Sequence, residues 1–179
     1  MKQSLLRFTS ILIGCLMIVS CHERTRLRRI TSQFIESRII FPDNLYAVKK
    51  RIYGKADIAK LQEHKLIIYI DSLSCGPCRI SHFHDMIPLY EFAESNGRFS
   101  VMTIFSPTAD SLHEIEKELV FLDFPYPIYI DVYGEFSRLN TIPNDTRFHE
   151  FLINKNGEIT FIGNPMDSES LKSIFLNSL

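Results

Sequence analysis

The chain is 179 residues long, 45% hydrophobic and 23% charged, which suffices for one core of ordinary size and not for two comfortable domains. That composition excludes disorder, collagen and low-complexity repeats, and a formal net charge of −1 leaves no chain-wide electrostatic footprint for nucleic acid. Four cysteines are too few to staple a small secreted scaffold, so their positions carry the argument.

Lys2 and Arg7 introduce an apolar run from Phe8 to Ser20, after which the chain turns abruptly polar from His22 to Arg29. These are the n-region and h-region of a signal peptide. The run falls short of the roughly 20 apolar residues that a transmembrane helix needs. Ile18-Val19-Ser20-Cys21 resembles the lipobox of bacterial lipoproteins, in which the cysteine is acylated and becomes the new first residue. Leu12-Ile13-Gly14-Cys15 fits the same pattern, but cleavage there would cut the h-region in half. The plainer alternative is an ordinary secretory peptide or an uncleaved anchor. Each reading places the domain outside the cytoplasm, and lipidation at Cys21 would tie it to a membrane of the bacterial cell envelope, facing the periplasm.

The expected division is residues 1–20 as lipoprotein signal peptide, 21–64 as basic tether and N-terminal extension, and 65–179 as the folded domain. In the extension, Leu27, Ile30 and Phe34 recur at helical spacing among Arg24, Arg26, Arg28 and Arg29. That pattern suits either a helix lying against lipid phosphates or a solvated tether. Ile39-Ile40-Phe41 reads as an edge strand, since Pro42 bars a central one.

The body alternates strands and helices. Leu66 to Asp71 is a short apolar, β-branched run of the kind buried on both faces of a sheet. Cys75-Gly76-Pro77-Cys78 follows, then a helical stretch to about Ser95, closed by Asn96-Gly97. Ser100 to Phe105 is a second buried strand. Leu112, Ile115, Leu119 and Leu122 mark one helix face, with Ser111 and Glu114 in capping-box register. Pro127 to Asp131 is a third strand, and a brief helix through Phe136 and Leu139 leads to a loop with Pro143. Phe151 to Asn154 and Ile159 to Ile162 flank Lys155-Asn156-Gly157, a hairpin signal. Leu171, Ile174 and Phe175 mark a last helix. The expected architecture is α/β, a mixed central sheet sandwiched between helices.

With Cys15 in the signal peptide and Cys21 acylated, Cys75 and Cys78 are the remaining thiols. Their bare spacing is weak evidence, but their context is specific. The pair follows a buried strand and opens a helix, where unpaired N–H groups and the helix dipole stabilise a thiolate. Cys75 is therefore expected to be the exposed attacking sulfur, and Cys78, one turn in, the shielded resolving one. Pro77 has no N–H to lose in a first turn and fixes φ there.

At these residues the sequence resembles the thioredoxin superfamily, and within it the membrane-anchored TlpA-like thiol-disulfide oxidoreductases. Cys75-Gly76-Pro77-Cys78 stands for the family's active site. Asp131-Val132-Tyr133-Gly134 matches the turn after its third strand, and Phe151 to Ile159 its strand-turn-strand. The resemblance covers roughly Lys65 to Leu176. It implies a thioredoxin-like three-layer sandwich that exchanges dithiol for disulfide with protein substrates, without a cofactor.

Several positions depart from the family pattern. Ser74 stands where a tryptophan is usual, and Tyr69 where thioredoxin proper has a proton-relaying aspartate. Family members also place a cis-proline eight or nine residues before the hairpin glycine. Counting back from Gly157 gives His149 or Phe148, while Pro143 would need an insertion. Pro143, Phe148 and His149 are thus candidates for the active-site rim.

Two rival readings involve metal. Cys75, Cys78, His82 and His84 could form a quartet, although a helix starting at Cys78 points His84 to another side. Two thiolates with His149 resemble the ligand set of the Sco-type copper chaperones. A third alternative is a thioredoxin-fold binding module with an idle cysteine pair.

Overall fold

The computed structural model describes residues 23–72 and 76–179. The signal-peptide reading, Cys15, Cys21, Ser74 and Cys75 lie outside the described residues. Seven strands form one sheet in the order β2-β1-β5-β4-β3-β6-β7. The strands are β1 Tyr46–Lys49, β2 Ile52–Lys55, β3 His64–Ile70, β4 Phe99–Phe105, β5 Ile128–Ile130, β6 Glu150–Ile153 and β7 Ile159–Ile162. The β3–β4 and β4–β5 pairs are parallel, as helical crossovers require, and the outer pairs are antiparallel. The sheet is mixed, as the alternation of elements implied.

Helices cover both faces. They are α1 over residues 23–35, α2 Gly76–Ser81, α3 Ile87–Asn96, α4 Leu112–Leu122, α5 Glu135–Leu139 and α6 Glu169–Asn177. Period-two alternation along β3 divides the core. Leu66, Ile68 and Ile70 face Ile80, Phe83, Leu89, Ile115 and Phe175, from α2 and its extension, α3, α4 and α6. Ile67 and Tyr69 face Phe34, Phe136, Phe148 and Phe151 on the other side. The result is three layers, with α2 and α1 on opposite faces of the sheet.

The segment before residue 65 contributes more than a tether. Leu27, Ile30 and Phe34 turn toward the core, and the Phe34 ring meets Phe148 and Phe151 edge-on at 5.9 and 5.1 Å. The β1–β2 hairpin extends the sheet beyond β5. Ile39 to Phe41, expected as an edge strand, is not one. Arg38 makes a single bridge to Glu158, and the Asn140 side chain does the rest. Its Oδ1 accepts from Ile40 N–H and its Nδ2 donates to Ile40 C=O, both at 2.8 Å. A side-chain amide thus supplies the pairing that a neighbouring strand would provide.

The long helix expected from Cys78 to Ser95 is broken into α2, a 3-10 turn over Phe83–Met86, and α3. Pro88, in the first turn of α3, has no N–H to continue the ladder and would crowd the preceding carbonyls, so the helix restarts there. Gly97 ends α3 at φ 70°, as the Asn-Gly signal implied. Ser111 precedes α4 but forms no side-chain cap, because its hydroxyl pairs with that of Thr108 at 2.8 Å.

Candidate active site

Interior strand β3 ends at Ile70, and α2 begins at Gly76. A Cβ on Gly76 would collide with Ile115 Cδ1 of α4 and lie 3.7 Å from Phe105. Glycine therefore lets the helix start seat directly against α4. Pro77 occupies the first turn of α2, and Cys78 is its third residue. Cys78 is disulfide-bonded. It is also exposed, which corrects the expectation that it would be the shielded member of the pair. The short helix turns this position toward solvent, and Ile80 supplies the buried anchor instead.

Pro143, Phe148 and His149 are brought together, but not as an open rim. Phe148 and His149 are only 3% and 4% exposed. The imidazole packs edge-on against Tyr69 at 5.3 Å, and its Nε2 lies 2.9 Å from the Pro143 carbonyl oxygen. The His149 carbonyl accepts the Tyr69 N–H at 2.8 Å, which joins the end of β3 to the start of β6. No cis peptide bond occurs among the described residues, so the Ile142–Pro143 bond is trans.

His82 and His84 are separately engaged. His82 Nδ1 lies 3.0 Å from Asp85 Oδ2, whereas the His84 ring stands edge-on to Phe124 at 6.2 Å. Among the described residues, no group of three or more His, Cys, Asp or Glu side chains could hold a metal ion.

Asp131, in the Asp-x-x-Gly turn, is 1% exposed and organises the loop after β5. Its Oδ1 accepts from Glu135 N–H and its Oδ2 from Phe136 N–H, both at 2.9 Å, and Ser106 Oγ donates to Oδ2 at 3.0 Å. The carboxylate satisfies the first N–H groups of α5 and ties them to the end of β4.

Tyr69 faces α5, not α2. Burial raises its pKa, and the Ser106 and Ser137 hydroxyls oppose the shift. On the side of the sheet that carries α2, the half-buried acid is Glu150, which sequence reasoning missed. It occupies the first position of β6, in register with Ile68 and on the same face as Leu152. That alternation was the available signal, since an acid at an inward-facing strand position is unusual. Glu150 borders a cavity of about 450 Å³ beside α2, with Arg79, His82, Met86, Asn164 and Met166. Its Oε2 has no hydrogen-bond partner among the described residues. Burial, then the nearby Asp167, raises its pKa, while Arg79 and Asn164 pull it back.

A mixed sheet in three layers, with a cysteine-bearing helix as the next element after interior strand β3, defines the thioredoxin-like fold. Among solved structures, the protein assigned as thiol:disulfide interchange protein DsbE of Chlorobium tepidum is similar at a TM-score of 0.50 and 22% identity, over 79% of this chain and 97% of that one. StoA of Bacillus subtilis is similar at a TM-score of 0.45 and 20% identity, over 75% and 98%. An uncharacterized thioredoxin-like protein of Porphyromonas gingivalis gives 0.43 and 16%, over 80% and 92%. No family model matches the chain, and no curated protein does. No helix among the described residues is long and apolar enough to cross a membrane.

Proposed function

We propose that the protein is a thiol-disulfide oxidoreductase that reduces protein disulfides outside the cytoplasm through Cys75 and Cys78, held at a membrane by a lipid on Cys21. The observation that carries this reading is a disulfide-bonded Cys78 in the helix that follows interior strand β3. Cys75, three positions earlier, is the partner the reading requires. The fold shared with the Chlorobium tepidum protein, whose name is that of an interchange protein, supports the same reading.

In the proposed cycle, the Cys75 thiolate attacks one sulfur of a substrate disulfide and expels the other as a thiolate, giving a mixed disulfide. The Cys78 thiolate then attacks the Cys75 sulfur and releases the second substrate thiolate. Two electrons pass to the substrate, two protons follow from solvent, and the Cys75–Cys78 disulfide remains. No cofactor enters the cycle. Exposure of Cys78 gives a second, external reductant direct access to the oxidised pair.

A Cys78→Ser variant should accumulate mixed disulfides with its substrates, reversible by dithiothreitol and absent from the Cys75→Ser variant. Failure of the wild type to reduce insulin or any other protein disulfide would overturn the assignment in favour of an idle binding module. For the anchor, globomycin should cause precursor to accumulate. An unchanged membrane-bound mature form of Cys21→Ala would rule out lipidation at that residue.

A further inference from the structure

We propose that α1 is an electrostatic foot: its arginines lie on the phosphates of an anionic bilayer and hold the opposite face of the sheet, which bears α2, toward the aqueous space. The inference rests on the membrane-anchored reading of Cys21 for its geometry and on the structure for its chemistry.

The apolar stripe of α1 is already used. Leu27, Ile30 and Phe34 pack into the core, so the helix cannot insert an oily face into lipid. What remains outward carries four arginines against one acid, Glu23, with Ile35 as the one exposed apolar side chain near its end. Arg24, Arg28 and Arg29 are exposed, and their side chains have no ion pair or hydrogen bond among the described residues. Several exposed cations elsewhere are matched, as in Arg38–Glu158, Arg51–Asp123, Lys60–Asp57 and Arg147–Asp145. Asp145, which lines the same cavity as Arg26 of α1, is taken by Arg147 at 2.6 Å.

Charge along the chain is sharply divided. Residues 24–29 carry four arginines and no acid, whereas residues 30–179 hold 14 basic and 20 acidic side chains, a balance of −6. An anionic surface therefore attracts one end of the molecule and repels the rest, which turns the domain as well as binding it. The first described residue of α1 lies two positions after Cys21 in the sequence, a reach of at most about 7 Å, inside a Debye length of roughly 8 Å at physiological salt. Each arginine so placed is worth about five-fold in surface association. Since α1 and α2 sit on opposite faces, the redox helix is held away from lipid by two layer spacings of about 10 Å each. Such a foot fits a redox domain whose partners approach from the aqueous side.

The chain holds no tryptophan, so a single introduced one is a clean reporter. Ser32→Trp marks the outward crest of α1 and Ser95→Trp the exposed end of α3 on the opposite face. Full-length protein is incorporated into vesicles of phosphatidylcholine alone or with 30% phosphatidylglycerol, and emission and quenching by headgroup-level spin-labelled lipid are read. The expected result is a blue shift and at least three-fold stronger quenching of the Ser32→Trp reporter in the anionic vesicles. The shift should be lost at 0.5 M salt and in the R24Q/R28Q/R29Q variant, with the Ser95→Trp reporter unmoved. Equal quenching of the α1 reporter in both lipids, or quenching of the α3 reporter as strong as that of the α1 reporter, overturns the foot. Flotation with pure phosphatidylcholine vesicles reports separately on the anchor. Loss of that flotation, with contact of the α1 reporter kept in anionic vesicles, would sink the anchor and spare the foot.

Discussion

Gly76, the first residue of α2, lies so close to Ile115 of α4 that a Cβ there would have to displace the Ile115 Cδ1. The close approach seats the cysteine-bearing helix against α4 through shape. Gly76→Ala should cost about 1–3 kcal/mol, the usual range for overpacking a close contact. Ile115→Val removes the Cδ1 that obstructs it, at about 0.5–1.5 kcal/mol on its own. The double variant is therefore expected to be more stable than the sum of the two losses, by a favourable coupling of at least about 0.5 kcal/mol. Urea unfolding of the four proteins measures this, and strict additivity would show that Ile115 is not the obstacle.

Glu150 should make stability fall as pH rises. Its carboxyl is held above the ordinary carboxylate range by burial and by Asp167. Between the unfolded and folded pKa values the native state binds more protons than the unfolded state, so unfolding free energy decreases with pH across that window. Below the unfolded value, near 4.5, the effect vanishes. Glu150→Gln is expected to match the wild type near pH 4 and to exceed it at pH 7, with the gap opening above about pH 4.5. Urea midpoints across that range test the sign, and a gap constant in pH would refute it. Arg79→Gln should widen the gap, since Arg79 favours the ionised form.

Asp131 holds three donors from two separate elements while almost fully buried. Asp131→Ala would strand the Ser106 hydroxyl and two N–H groups of α5. A loss of about 2–4 kcal/mol is expected. Asp131→Asn keeps an acceptor oxygen and should recover part of it. Thermal melts of the two variants, with Ser106→Ala as a partner in a double-mutant cycle, separate the shared bond from the rest. Equal loss in both variants would mean that the turn needs charge and not an acceptor.

The direction of electron flow is expected from the residues adjacent to the cysteines in the chain. Arg79 lies past Cys78 and Asp71 opposes it, so no charge beside the motif in sequence would over-stabilise a Cys75 thiolate. The pair should behave as a reductant, with a potential nearer to about −270 mV than to the roughly −120 mV of a strong oxidant. Equilibration with glutathione buffers gives the value, and a result above about −180 mV would contradict the assignment. With Cys78 exposed, alkylation of the reduced protein at mildly acidic pH should favour Cys75 through its place at the helix start alone. Faster labelling of Cys78 would exchange the two roles.

The interior strands were legible because β-branched runs buried on both faces have few other uses, as Leu66–Ile70 shows. The β1–β2 hairpin was not. Its two-residue turn is Lys50-Arg51, with φ of 47° and 66°, where glycine or asparagine would normally announce the conformation. β2 is largely exposed, so no alternation marks it either. At the site, the cysteine motif was plain from its context, after a buried strand and at the opening of a helix. The exposure of Cys78, the burial of His149 and the facing of Tyr69 away from α2 depend on how the sheet is covered, and composition along the chain does not encode that.

The clamp on Ile40 has a bearing on biosynthesis. Asn140 grips Ile40 across 100 residues, and the partners of Phe34, Arg38 and Ile39 lie farther on, at Phe148, Phe151, Gly157 and Glu158. None of those residues exists when the leading end of the chain emerges, and closing so long a loop comes late in folding. Until those residues are made, the stretch around α1 has no native surface to dock on. Any enzyme that trims or modifies this end meets an open polypeptide, and the window closes only when the last hairpin has formed.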